Sequence, residues 1–151
     1  MPTKNFERLL SDIKVAMKAR DKEKLSALRY LHSEIKNYSI KEGREPEDED
    51  VVAVVTKLIK QRREAAEQFS SAGREDLVEK EESQVSIYQA YQPAQLGAEE
   101  LEALVVAAIQ KTGASGRGDM GKVMGVLMPQ TKGRADGKLV SRLVGEKLSA
   151  L

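Results

Sequence analysis

Few residues in this chain could do chemistry. His32 is the only histidine, and there is no cysteine. A Ser/His/Asp relay or a two-histidine metal site needs a partner that His32 lacks, and its place on a helical stripe reads as the polar flank of a core. Without thiols there is no thiolate zinc site, no iron–sulfur cluster, no cysteine nucleophile and no thiol glutaminase. The acidic runs at residues 45–50 and 79–82 lack the alternating ligands and the glycine of a calcium loop. They read instead as helix-start charge and a solvated face. Residues 113–118 (Gly-Ala-Ser-Gly-Arg-Gly) lack the Gly-Lys-Ser/Thr ending of a nucleotide-phosphate loop. The expectation is therefore no catalytic residue, no metal and no cofactor.

Two other groups are more informative. Arg62 and Glu81 interrupt apolar stripes on what read as the third and fourth helices. If these helices fold back on each other through Gly73, the two residues meet. The pair then either activates a carboxylate for catalysis or fixes the register of a hairpin, and the lack of a third chemical group favours the structural ion pair. The second group is Lys132-Gly133-Arg134, in which two cations flank a glycine that a polyanion backbone could approach closely. Lys138 and Arg142 follow four residues apart on one helix face, with Lys122 and Arg117 peripheral. Residues 111–142 hold seven basic and two acidic residues, a local +5 on a chain whose total is +1. Such a patch suits phosphate contacts without base readout.

Helices must position these groups. Hydrophobic residues are 40% of the 151 and aromatics only 4%, so the core is built of Leu, Val, Ile, Ala and Met, a composition suited to helix packing. Phe6, Leu9, Leu10, Ile13 and Met17 form a first stripe, with Thr3 as its N-cap. Asp21 caps a second helix bearing Leu25, Leu28, Leu31, Ile35 and Tyr38, which Gly43 stops. Pro46 falls in the first turn of a third, with Val51, Val55, Leu58, Ile59, Ala66 and Phe69 inward. A fourth carries Leu77, Val78, Val85, Tyr88 and Tyr91 and stops before Pro93. Beyond it most of the eleven glycines occur. Leu101, Leu104, Val105, Ala108 and Ile109 mark a fifth helix. Asp119 caps a sixth with Met120, Val123, Met124, Leu127 and Met128, whose Gly121 and Gly125 suggest close helix packing. Residues 129–135 read as a loop, and Asp136 caps a seventh helix bearing Leu139, Val140, Leu143, Val144 and Leu148. The prediction is an all-α chain: an N-terminal domain of about four helices over residues 1–92 and a small irregular helical domain over 93–151. The longest apolar run, residues 104–109, is far short of the ~20 residues that cross a bilayer, so no membrane partner is expected. The absence of cysteine and of a secretory h-region points to the cytoplasm.

Residues 119–151 carry Gly121-x-Val123-Met124, Thr131-Lys132-Gly133-x-Ala135, Val140 and Leu143. With Leu28-Arg29, Ile59-Lys60-Gln61-Arg62, Gly73-Arg74-x-Asp76-Leu77 and Tyr91-x-Pro93-x-Gln95-Leu96 in order, the chain resembles the YqeY family over nearly its whole length. Its last third to two fifths also resembles the C-terminal tail of GatB, the B subunit of the tRNA-dependent amidotransferase. This chain has Asp136-Gly137 where such tails tend to carry Asn-Pro. The resemblance implies a helical hairpin domain joined to a GatB/YqeY domain. It also implies a link to carbon–nitrogen ligase chemistry with glutamine as amido donor, of which this chain has only the non-catalytic tail. The implied function is an accessory protein that binds tRNA or attends the amidotransferase or another translation-related protein, with Lys132, Gly133, Arg134, Lys138, Arg142, Lys122 and Arg117 as RNA contacts. The alternative is a protein-interaction module with no RNA.

Overall fold

The computed structural model describes residues 4–151; the cap expected at Thr3 lies outside them. Seven α-helices and one single-turn 3-10 helix make up the secondary structure of the described residues, with no strand, so the fold is all-α as the stripes require. The chain divides into two compact units, Met1–Gln92 and Pro93–Leu151.

The first unit holds α1 (Lys4–Lys18), α2 (Lys22–Glu42), α3 (Asp48–Ser71) and α4 (Glu75–Gln89). Its core takes Leu9 and Ala16 from α1, and Leu28, Leu31 and Ile35 from α2. Val51, Val55, Leu58 and Ile59 come from α3, and Val85 and Tyr88 from α4. Asp21 caps α2 by accepting from the Lys24 N–H at 3.2 Å. Gly43 ends that helix with φ +68°, where a side chain would be strained. Tyr88 is fully buried, and its hydroxyl donates to the Ala27 carbonyl at 3.0 Å, tying α4 to α2. Tyr91, 3% exposed, donates to the Asp12 carboxylate under the Arg8 guanidinium, whose carbon stands 4.6 Å from the ring centroid. Burial, reinforced by the bond to Asp12, pushes the Tyr91 hydroxyl pKa up.

Three sequence expectations need correction here. Pro46 does not enter the helix: α3 starts at Asp48, because Asp50 accepts from the Glu47 N–H at 2.8 Å in a capping box that Arg44 clamps from outside at 2.5 Å. The α1 stripe is rotated by part of a turn. Leu10 and Met17 are 40% and 48% exposed, while the small Ala16 brings α1 close to its neighbours. Ala66, Phe69 and Leu77 are only half-buried, as the hairpin of α3 and α4 runs past the core.

That hairpin turns at Gly73, whose φ is +72°. It brings Arg62 Nη1 to 3.6 Å from Glu81 Oε2, with Arg62 also over the Tyr30 ring at 5.6 Å. Arg62 Nε and Glu81 Oε2 are buried without a hydrogen-bond partner. The pair joins α3 to α4 beside the Tyr88 hydroxyl.

The second unit holds α5 (Ala98–Thr112), the turn Arg117–Asp119, α6 (Met120–Thr131) and α7 (Gly137–Ser149). Leu101, Val105, Ala108, Ile109, Val123, Leu127, Val140, Val144 and Leu148 form its core. Met128 and Leu139, placed on stripes by the sequence, are 40% and 37% exposed. The loop expected from residue 129 starts later: α6 runs through Pro129 to Thr131, whose hydroxyl donates to the Leu127 carbonyl at 3.4 Å. Near a C-terminus, the N–H missing from proline costs the ladder one bond without breaking the helix.

Two predictions follow from the first unit. Single replacement of Arg62 by Met or Glu81 by Leu costs about 1–3 kcal/mol, since the remaining charge is half-buried and unpaired, whereas the double replacement is near neutral. Denaturant melts of the four proteins test this, and additive losses refute it. Separately, His32 stacks on Phe6 at 5.4 Å, and burial and then Lys36 lower its pKa. A folded-state pKa below the unfolded value favours the neutral form. The His32 contribution is therefore full above about pH 6.5 and is lost as pH falls below it. His32→Gln flattens that part of the stability–pH curve.

Candidate functional site

The segment Lys132-Gly133-Arg134 is the turn between α6 and α7, and it is held from behind. Gly133 has φ +75°, so glycine is required there by backbone geometry, not by the approach of a ligand. Its carbonyl accepts from Gln95 Nε2 at 2.9 Å, and the Arg134 carbonyl accepts from the Leu96 N–H at 2.9 Å. Arg134 Nε donates to the Ala94 carbonyl at 3.2 Å. Thr131 closes the turn from inside, its carbonyl accepting from the N–H groups of Arg134 and Ala135 at 2.8 and 3.1 Å. Two motifs far apart in sequence, residues 93–96 and 131–135, thus clasp each other by one main-chain bond and by two side chains that donate to main-chain carbonyls. In the sequence Gln95 stands only as part of the Tyr91-x-Pro93-x-Gln95-Leu96 motif and not as a site residue, because nothing local marks a side chain whose partner lies 38 residues on.

Gly133 is buried, and Arg134 is half-buried with its Nε given to the Ala94 carbonyl. Lys132 and Lys138 stand exposed with no acidic partner among the described residues. Lys138 and Arg142 lie one turn apart on α7. Arg142 has only a long exposed partner, Glu146, at 4.0 Å. Arg117 also reaches α7, with its Nη2 over Gly145. Lys122 leans on Asp119 at 3.9 Å. Lys138, Arg142 and Arg117 therefore gather on α7, while Lys132 and Arg134 belong to the turn that precedes it.

Asp119 occupies the N-cap position of α6 without capping it. Its carboxylate instead accepts from the Ser115 N–H at 2.9 Å, which holds its pKa below the usual carboxylate range and closes the turn that carries Arg117. Asp136 does cap α7, accepting from the Lys138 N–H at 3.2 Å. Gly121 and Gly125 do not serve close helix packing: both are exposed, and a Cβ on either would meet nothing within 4 Å.

Among the described residues no cluster of His, Asp and Glu is arranged to hold a metal ion, and no helix is long and apolar enough to cross a membrane.

The family described as Yqey-like protein matches residues 6–148. A protein of Pyrenophora tritici-repentis named "Altered inheritance of mitochondria protein 41, mitochondrial" is 35% identical over 146 residues, covering 95% of this chain and 80% of its own length. Proteins of the same name from Eremothecium gossypii and Kluyveromyces lactis are 38% and 41% identical over 93 and 101 residues, or 61% and 65% of this chain. The alignments take in about half the length of those two, 51% and 55%. These names overturn the cytoplasmic placement expected from the sequence, since all three proteins are called mitochondrial. Lack of cysteine argues only against oxidising compartments and does not choose among reducing ones.

The clasp gives a sharp contrast between neighbours. Gly133→Ala forces a side chain into left-handed backbone and costs about 1–2 kcal/mol, whereas Lys132→Ala stays within about 0.5 kcal/mol of the parent. Thermal unfolding followed by circular dichroism measures both, and equal effects would contradict the geometry.

Proposed function

The chain belongs to the Yqey-like protein family, and from that premise we propose that it is a non-catalytic accessory protein that binds tRNA through its second unit. One observation carries this reading: Lys132, Lys138 and Arg117 have no acidic partner among the described residues, and the pairs made by Lys122 and Arg142 are long and exposed. Cations kept out of ion pairs are free to release counterions from a polyanion. Support also comes from the likeness of residues 119–151 to the tail of the tRNA amidotransferase B subunit. In this reading any amidation belongs to a partner, an amidotransferase or another protein of translation. The link to carbon–nitrogen ligase chemistry is then an analogy at the level of the shared domain.

A second reading, docking of a protein without RNA, draws on a groove of about 550 Å³ between α3 and α4, where Ala66, Val78 and Val85 are flanked by Arg63, Glu67 and Glu82. Partners recovered from lysate that survive nuclease treatment favour it.

Filter binding of bulk tRNA at two salt concentrations tests the first reading. Binding at low salt weakens as salt rises, and the slope of log K against log salt falls by about 0.7–0.9 for each phosphate contact removed. Reversal of Lys132 and Lys138 to Glu lowers affinity about tenfold or more. No binding at low salt, or indifference to the reversals, defeats it.

A further inference from the structure

The outer face of α7 carries an arrangement centred on a glycine. Lys138, Arg142, Gly145 and Ser149 succeed one another at steps of four, three and four, so they share the face opposite the buried Val140, Val144 and Leu148. Gly145 is itself buried on that outer face, with Arg117 lying over it: a Cβ there would come within 3.3 Å of Arg117 Nη2. Arg117 arrives from the turn that Ser115 and Asp119 lock. Beside it opens a cavity of about 380 Å³ lined by Arg117, Ser141, Arg142, Gly145, Glu146 and Ser149.

The chemistry of the lining selects its ligand. Arg117, Arg142, Ser141 and Ser149 line it together with one acidic residue, Glu146, for a net charge of +1. The carboxylate is the weakest element, since Glu146 Oε1 stands 4.0 Å from Arg142 Nε. Arg117 has no acidic partner among the described residues. Guanidinium forks bind the paired oxygens of carboxylate or phosphate, and a phosphodiester presents two such charged oxygens, one to each arginine. A single negative charge balances the site, which fits a diester and not a dianionic monoester. Glycine at 145 forgoes helix propensity relative to alanine, and the space it leaves is where Arg117 lies.

We propose that this cavity seats one phosphodiester of an RNA backbone between Arg117 and Arg142, with Ser141 and Ser149 as hydroxyl donors and Glu146 as an internal substitute anion that phosphate displaces from Arg142. The identity of the carrier rests on the RNA reading above; the seat itself does not.

Dimethyl phosphate is the probe, titrated into the full chain while the arginine Nε–Hε resonances are followed by NMR. The Arg117 and Arg142 signals shift together and saturate. Arg117→Gln removes the Arg142 shift, Gly145→Ala weakens it by pushing the Arg117 side chain aside, and Lys57→Gln, in the other unit, leaves it unchanged. Glu146→Gln tightens binding about two- to five-fold, the range of an exposed ion pair. In tRNA filter binding, Arg117→Gln and Arg142→Gln each lower the salt slope by about 0.7–0.9, and the double variant lowers it no further, because both arginines serve one phosphate. Saturable shifts without any tRNA binding uphold the seat and overturn RNA as its carrier. Absence of saturable shifts overturns the seat, and tRNA binding indifferent to both arginines then leaves the RNA reading standing without it. Weaker binding in Glu146→Gln overturns the role given to that carboxylate.

Discussion

The second unit depends on a clasp of hydrogen bonds onto main-chain carbonyls, from the Leu96 N–H to the Arg134 carbonyl and from the Gln95 side chain to the Gly133 carbonyl. Fewer than sixty residues make up this unit, and a core that small leaves little margin for a loose connection. Asp136 starts α7 two residues beyond the clasp, and α7 in turn presents Lys138 and Arg142 and receives Arg117 on Gly145. Even the position of the cations is therefore tied to the pairing of two segments that also pack Leu96 and Ala135 against the core.

The two units treat charge differently. In the first, arginines are spent on structure: Arg44 clamps the capping box through Asp50, Arg62 meets Glu81 between α3 and α4, and Arg74 holds Asp76 at the hairpin turn. In the second, Lys147 is paired closely, with Glu102 at 2.7 Å, and the cations on and around the outer face of α7 are left loosely paired or unpaired. Exposed ion pairs contribute little to stability, so leaving them unmade costs the fold little and preserves positive potential at the surface.

The helices were legible in the sequence wherever a local signal sufficed. Apolar spacing located all seven, and Asp21, Gly43 and Asp136 mark ends because a cap acts within a few residues. Reading failed where a distant or opposing partner decides. Pro46 stays outside α3 because Arg44 and Asp50 set the start. Asp119 turns back to Ser115 instead of capping. Gly121 and Gly125 share a spacing with packed helices, yet they face open space, and spacing cannot tell which side of a helix has a neighbour. The basic residues of the site were visible by type. Their division was not: Arg134 bonds a carbonyl forty residues away, and Gly145 becomes meaningful only with Arg117 above it.

The clasp also bears on the order in which the chain acquires its structure during synthesis. The α3–α4 hairpin joins neighbours in sequence and can form as soon as its own residues are free, a low-contact-order event. The second unit has no such freedom. Its opening segment, residues 94–96, has no partner until residues 133–134 have emerged, so α5 and α6 wait inside an unclosed ring whose ends meet late. The surface that carries the cations therefore forms only after residues 133–149 have emerged.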